Sequence, residues 1–366
     1  MLDAKQRRVE LDVARAFAII CVVLCHATES IYTLNKFSWT NLSNQSRVFM
    51  ILSFTIGRLG VPIFLFLTGA LILKKTFEKD EDVFKFYKKN LLPLIIVNSI
   101  WIVIYNIFLC IYKQEYNVSI ELIIKELLLF EKFPLPNMWY FPMIIGLYIG
   151  LPFISKIVKT FSKKSLSLVI TMIFIYSFVL PMINTALSIA GIKNSYNSIL
   201  NLFFLGGGYG LYTIVGYFLY NNNKKREKNL LPMGIAILCY IITCAFQMLS
   251  YSKISKSNNV YNVWYNFPFL MICAACIFKL ILNIDVSKIP PKFTKFFTFI
   301  SKTSLGIFFI HIIIQSILRP YINNLRLMMP VKVIILAFFN FIICIIINFL
   351  ISKVKILSKY VLLIKN

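Results

Sequence analysis

Two ionisable side chains, Arg15 and His26, fall inside the first apolar run of the chain, Asp12–Thr33. Charge is costly inside a bilayer, so an ionisable residue there marks a functional or paired position. In a helix, eleven residues make about three turns plus ~20°, which puts both side chains on one face. They lie about 16 Å apart along the axis at ~1.5 Å per residue. Glu29 follows His26 by three residues, near the same face. The stripe therefore carries a fixed cation, a base that titrates near neutrality and a carboxylate that can fix its tautomer. Such a set suits acid–base chemistry near an anion-binding group. Structural alternatives stand beside this: a snorkelling anchor for Arg15, an interhelical hydrogen bond for His26 and an interfacial carboxylate for Glu29.

A second group lies in Gly57-Arg58-Leu59-Gly60-Val61-Pro62-Ile63-Phe64-Leu65-Phe66-Leu67-Thr68-Gly69. Arg58 is about ten residues below the outer surface of an inward-running helix, roughly 15 Å deep. An arginine at that depth needs an acceptor, a water cavity or an anionic substrate; an ion pair with Glu29 is the structural option. Pro62 leaves a backbone carbonyl without its helical donor. A third group is Ser304-Leu305-Gly306-Ile307-Phe308-Phe309-Ile310-His311, which holds the second of the two histidines. His311 falls in the outer half of an outward-running helix, so both histidines and Arg58 are expected at one depth. A packed, hydrogen-bonded histidine is the alternative. Trp139-Tyr140-Phe141-Pro142 reads as an interfacial aromatic belt, and Gly206-Gly207-Gly208 with Gly210 as a helix-packing stretch.

The elements that must position these residues are membrane helices. Of the 366 residues 59% are hydrophobic and 14% charged, too apolar for a soluble domain of this size. About ten spanning helices are expected, near 13–33, 48–73, 91–112, 138–158, 165–189, 199–220, 230–250, 262–283, 296–318 and 330–352. They form one all-α integral membrane domain over residues 1–366. Lys and Arg alternate in density from loop to loop, with about twice as many on one side as on the other. That side holds Arg8, Lys74, Lys75, Lys85, Lys88, Lys89, Lys159, Arg226, Lys288 and Lys353. The pattern places both termini in the cytoplasm, and it assigns the net charge of +25 to topology rather than to nucleic-acid binding. The basic start and apolar run are expected to be a retained first helix, not a cleaved signal. The eight cysteines lie in apolar runs, which argues against a disulfide framework, and Cys273-x-x-Cys276 has no companion ligands for a metal. The stretch 120–130 is expected to form a short amphipathic helix at the outer surface.

Taken in order, these residues resemble the membrane acyltransferase-3 family. Glu10-Leu11-Asp12-x-x-Arg15-x-x-Ala18 followed by His26 reproduces its R-x10-H pattern. Arg58-x-x-Val61-Pro62-x-Phe64 with Thr68-Gly69 is similar to its second-helix motif, where Ser-Gly is more usual. Trp139-Tyr140-Phe141 with Tyr148 and Pro152, Gly216-Tyr217-Phe218-Leu219, and Leu305-Gly306-Ile307-x-x-x-x-His311 resemble three further family stretches. The family often has R-x-x-R after the second helix, where this chain has Lys85-Phe86-Tyr87-Lys88-Lys89. Lysine keeps the charge and loses the bidentate fork.

The resemblance implies transfer of an acyl group, acetyl or succinyl, from cytoplasmic acyl-CoA (acetyl-CoA foremost) to a hydroxyl of a lipid-linked or extracellular glycan. No metal is expected. It implies that Arg15 and His26 are essential, with His26 as general base or brief acyl carrier. Arg58 would stabilise the oxyanion, with Glu29 and His311 beside it. Arg15, Lys85, Lys88 and Lys89 would receive the polyanionic donor. The expected location is a bacterial cytoplasmic membrane. A transporter or flippase of an anionic lipid or glycan precursor is the competing reading, though no paired halves with matched broken helices are seen. A regulatory protein that keeps the fold without the chemistry is a third.

Overall fold

The computed structural model describes residues 8–33, 39–113, 118–192, 196, 203–223, 229–254 and 263–364. Several loop cations that contribute to the expected topology, among them Lys5, Arg7, Lys36, Lys193, Lys224, Lys225, Arg226, Lys228, Lys256 and Lys365, lie outside these residues.

Every described regular element is helical, and eight helices are long and apolar enough to cross a membrane. The protein is a multi-pass all-α membrane protein. Two of the ten expected spans are shorter than the sequence pattern suggests. In place of 199–220 the helix is Gly207–Asn221, and in place of 262–283 it is Pro268–Leu282, each of 15 residues. The physical reasons are local. Leu205, Gly206 and Gly207 all have positive φ (58°, 84° and 57°), a left-handed turn that ends helix propagation. Pro268 supplies the first residue of the other helix, a position where its missing N–H is tolerated. At ~1.5 Å per residue each is about 22 Å long, against the ~30 Å hydrocarbon core.

α1 (Val9–Tyr32) is the central post. Ala14, Ala16, Ala18 and Ala27 are fully buried along it, and such small side chains let neighbouring backbones approach. It packs most extensively on the helix Pro291–Asn323 and also against the second span. That second span is broken into α2 (Asn44–Gly57) and α3 (Gly60–Ile72), and the break falls at Arg58–Leu59. Pro62 explains its position: with no N–H, it cannot return a hydrogen bond to the carbonyl of Arg58. α3 in turn crosses the short helix Gly207–Asn221, and Gly69 and Gly216 sit directly on the opposing backbones of Thr213 and Phe66.

Two other prolines act similarly. A π turn at Tyr87–Leu91 precedes Pro93, and another at Ile175–Val179 precedes Pro181; the wider turn accommodates a residue that neither donates nor fits an ideal α-turn. Burial falls from the post outward. In the second span 72% of the apolar window is buried inside the protein, whereas in Lys163–Ile189 it is 17%, so that helix faces lipid. The stretch expected as a surface helix forms one over Ile120–Leu127. The eight cysteines are free thiols.

Candidate active site

Two chambers follow one another along the Arg15–His26 face of α1. The first, of about 980 Å³, is lined by His26, Glu29, Arg58, Asn137, Trp264 and Gln315 among others. His26 Nδ1 stands 2.6 Å from Glu29 Oε2. The ionised carboxylate can only accept, so Nδ1 carries the hydrogen in this pairing and Nε2 is left as the basic nitrogen. The i, i+3 spacing on one helix produces the contact directly. About a fifth of each side chain is exposed, which leaves the pair accessible from the chamber.

His311 reaches the same level from the helix Pro291–Asn323, with its ring centroid 5.2 Å from that of His26. It is fully buried and is not part of the chamber wall. Its Nδ1 lies 3.0 Å from the carbonyl of Ile307, and its Nε2 has no hydrogen-bond partner among the described residues. It therefore supports the His26 ring from behind.

Arg58 is 2% exposed, yet its guanidinium borders the chamber. The central carbon sits 4.0 Å from the Trp264 ring centre, 4.7 Å from Tyr265 and 5.0 Å from Phe54. Aromatic faces attract a cation and cost less desolvation than aliphatic walls would. The break in the second span puts Arg58 in the turn, and the glycines around it set the distance to α1. A Cβ at Gly57 would meet the Cys25 backbone at 2.6–2.7 Å, and one at Gly60 would press on the Ala18 carbonyl at 2.5 Å. Only glycine lets this turn lie beside the residue that precedes His26.

The second chamber, of about 670 Å³, contains Arg15, Ser301, Lys74, Lys75 and Lys302. Arg15 Nη1 donates to Ser301 Oγ at 3.1 Å, which holds the guanidinium against the wall. The ammonium groups of Lys74 and Lys75 stand 5.1 and 5.4 Å from the rings of Tyr220 and Phe86. The lysines picked from the sequence lie elsewhere. Lys85 is in the helix Asp80–Phe86 and Lys88 and Lys89 are in the following π turn; all three are exposed, and none lines this chamber. The basic residues that do line it are Arg15 of α1, Lys74 and Lys75 in the turn after α3, and Lys302 of the His311 helix.

Val22, Val61, Tyr140 and Phe308 line both chambers, so the two spaces meet at a waist of apolar side chains. Val22 lies on the Arg15–His26 stripe, one turn before His26. The waist residues come from four helices, and the Tyr140 and Phe308 rings pack at 5.6 Å. Sequence reasoning missed Trp264 and Tyr265, although a Trp-Tyr pair just before Pro268 is a signal for an ordered aromatic loop. It also missed Asn137 and Gln315, single amides that no spacing rule selects.

Among families of known proteins, a family model described as an acyltransferase domain matches residues 8–349. No curated protein and no solved structure gives a significant match.

Proposed function

We propose a specific reaction for this chain, which belongs to the acyltransferase-3 family and is a multi-pass membrane acyltransferase: an acyl group, acetyl foremost, moves from acyl-CoA in the Arg15 chamber to a hydroxyl in the His26 chamber. The acceptor is an envelope glycan or glycolipid. The Arg15 end faces the cytoplasm of a bacterial cell, as the loop charges suggest. The observation that carries the reading is that the two chambers adjoin at Val22, Val61, Tyr140 and Phe308, which line both, with the His26–Glu29 pair just beyond.

The donor chamber fits its substrate by charge and shape. Arg15, Lys74, Lys75 and Lys302 match the phosphates of a polyanion, while Leu67, Leu71 and Ile144 provide an apolar wall for a slender arm. The ~16 Å between Arg15 and His26 gives such an arm room to bring its thioester to the waist. On the other side, Glu29 accepts from Nδ1–H and leaves Nε2 of His26 to take the proton of the acceptor hydroxyl. The alcohol oxygen then bonds to the thioester carbonyl carbon, and the carbonyl electron pair moves onto oxygen. Arg58 stabilises that oxyanion across the chamber. As the carbonyl re-forms, the C–S bond breaks, sulfur leaves with the electron pair, and the proton held by His26 passes to it. His311 acts as a positioning residue by packing on the His26 ring.

The test is incorporation of label from acyl-CoA into envelope glycan by membranes that contain the protein. His26→Ala is expected to abolish incorporation while the protein still inserts; retained incorporation would sink the base assignment. Adjoining chambers on one helix face also suit passage of an anionic lipid or glycan precursor. Transport into vesicles that needs no acyl-CoA and leaves no acylated product would favour that alternative.

A further inference from the structure

Beyond residue 349, where the family match ends, the chain folds back into the Arg15 chamber. The last long helix, Met329–Ser352, is followed by a short one, Lys355–Tyr360, and then by Val361–Ile364. Leu362, Leu363 and Ile364 are part of the chamber wall that also holds Arg15, Lys75 and Lys302. We propose that this C-terminal segment is a built wall of the donor site, against which the apolar arm of a coenzyme A thioester lies. The proposal rests on the reading of that chamber as the donor site.

Four features show that the segment is held in place. The indole N–H of Trp101, itself stacked on Phe309 at 4.8 Å, donates to the Val361 carbonyl at 3.0 Å. The N–H of Ile364 donates to the Ser358 carbonyl at 3.0 Å, which closes the turn. Leu362 is 1% exposed and, with the Asn348 amide, packs into the space left by the missing Cβ of Gly306, where a Cβ would fall 1.9 Å from Asn348 Oδ1 and 2.4 Å from Leu362 Cδ2. Leu363 has φ +56°, a strained conformation for a leucine that persists only when its surroundings impose it. A chain end that merely trailed from the last helix would not sustain a buried leucine, an indole hydrogen bond and a left-handed residue within four positions.

The division of labour follows from chemistry. The cations at the mouth recognise phosphate. They do little for an uncharged arm, which needs apolar surface that excludes water. Leu362 and Leu363 provide that surface from the end of the chain, on the Gly306 side of the chamber. Gly306 therefore has two roles in one helix: it seats the C-terminal wall, and one and a half turns later the same helix presents His311.

The decisive experiment measures equilibrium binding of coenzyme A to the purified full-length protein in detergent, beside three variants. Leu363→Gly removes the wall side chain and at the same time suits the positive φ, so its unfolding temperature without ligand should stay within about 2 °C of the wild type. Its affinity for coenzyme A should fall about tenfold. Deletion from Val361 onward should weaken binding further, and Trp101→Phe, which keeps the ring and loses the donor, should weaken it several-fold. If Leu363→Gly and the deletion bind coenzyme A as tightly as the wild type, the wall assignment is wrong. A wild type that binds coenzyme A but transfers no acyl group would overturn the acyltransferase reaction while leaving the wall in place. A wild type that does not bind it would overturn both.

Discussion

Glu29→Gln separates a carboxylate that orients the base from one that merely sits at the helix exit. In the structure its carboxylate is 2.6 Å from His26 Nδ1. Hydrogen bonds to a charged group contribute about 1.5–3 kcal/mol. If that stabilisation is spent on the imidazolium that forms in the transition state, its loss lowers kcat by about 10- to 150-fold at ~1.4 kcal/mol per decade. Glutamine can also turn its NH2 toward Nδ1, which would place the histidine proton on Nε2 and remove the base altogether. The donor KM should not move, because Glu29 is absent from the Arg15 chamber. The assay is transfer from labelled acyl-CoA in membranes, with kcat and donor KM measured separately. A kcat within twofold of the wild type, beside an inactive His26→Ala, would refute the orienting role. So would a loss that appeared only in donor KM.

Four further outcomes are expected. Lys74→Ala and Lys75→Ala should raise the donor KM several-fold, whereas Lys85→Ala, Lys88→Ala and Lys89→Ala should leave it near the wild-type value, as read from initial rates against acyl-CoA concentration. Arg58→Lys keeps the charge but loses the planar stack on Trp264 and Tyr265. It should lower kcat about 30-fold with little change in expression, from about 2 kcal/mol for a desolvated cation–π contact at ~1.4 kcal/mol per decade. Gly57→Ala should destabilise the protein by about 1–3 kcal/mol, seen as a lower unfolding temperature in detergent, since its Cβ would fall 2.6 Å from the Cys25 backbone. Glu126, on the surface helix Ile120–Leu127, has its carboxyl pushed up by burial, partly countered by the Asn106 amide at 2.7 Å. A carboxyl raised in the folded state binds more protons there, so docking of this helix should weaken as pH rises from the unfolded value through the raised one. Glu126→Gln should remove that dependence in hydrogen exchange of 120–127.

What was legible in the sequence was whatever depended on periodicity and cost. The R-x10-H spacing fixes one helix face irrespective of neighbours, and the expense of burying Arg58, His26 and His311 marks them wherever they pack. Their expected common depth appears in the structure as a 5.2 Å separation of the histidine rings and a chamber shared by His26 and Arg58. What was not legible depended on where the backbone departs from an ideal helix. The left-handed turn at Leu205–Gly207 shortens one expected span, and Pro268 shortens another. That Lys74, Lys75 and Lys302 line the Arg15 chamber while Lys85, Lys88 and Lys89 do not could not be read from charge alone, because the loop pattern groups them all on one basic side. The same holds for Leu362 and Leu363, two residues in an apolar tail that only the tertiary fold carries back to Gly306.

The proposed transfer runs from a donor in one chamber to an acceptor in the other, through His26. It is tested most directly in oriented proteoliposomes, with labelled acyl-CoA supplied only at the face that carries Arg15 and glycan acceptor only at the opposite face. Acylated glycan is expected on the acceptor side with the wild type and none with His26→Ala. Product formed by His26→Ala at the wild-type rate, or product confined to the donor side, would contradict it.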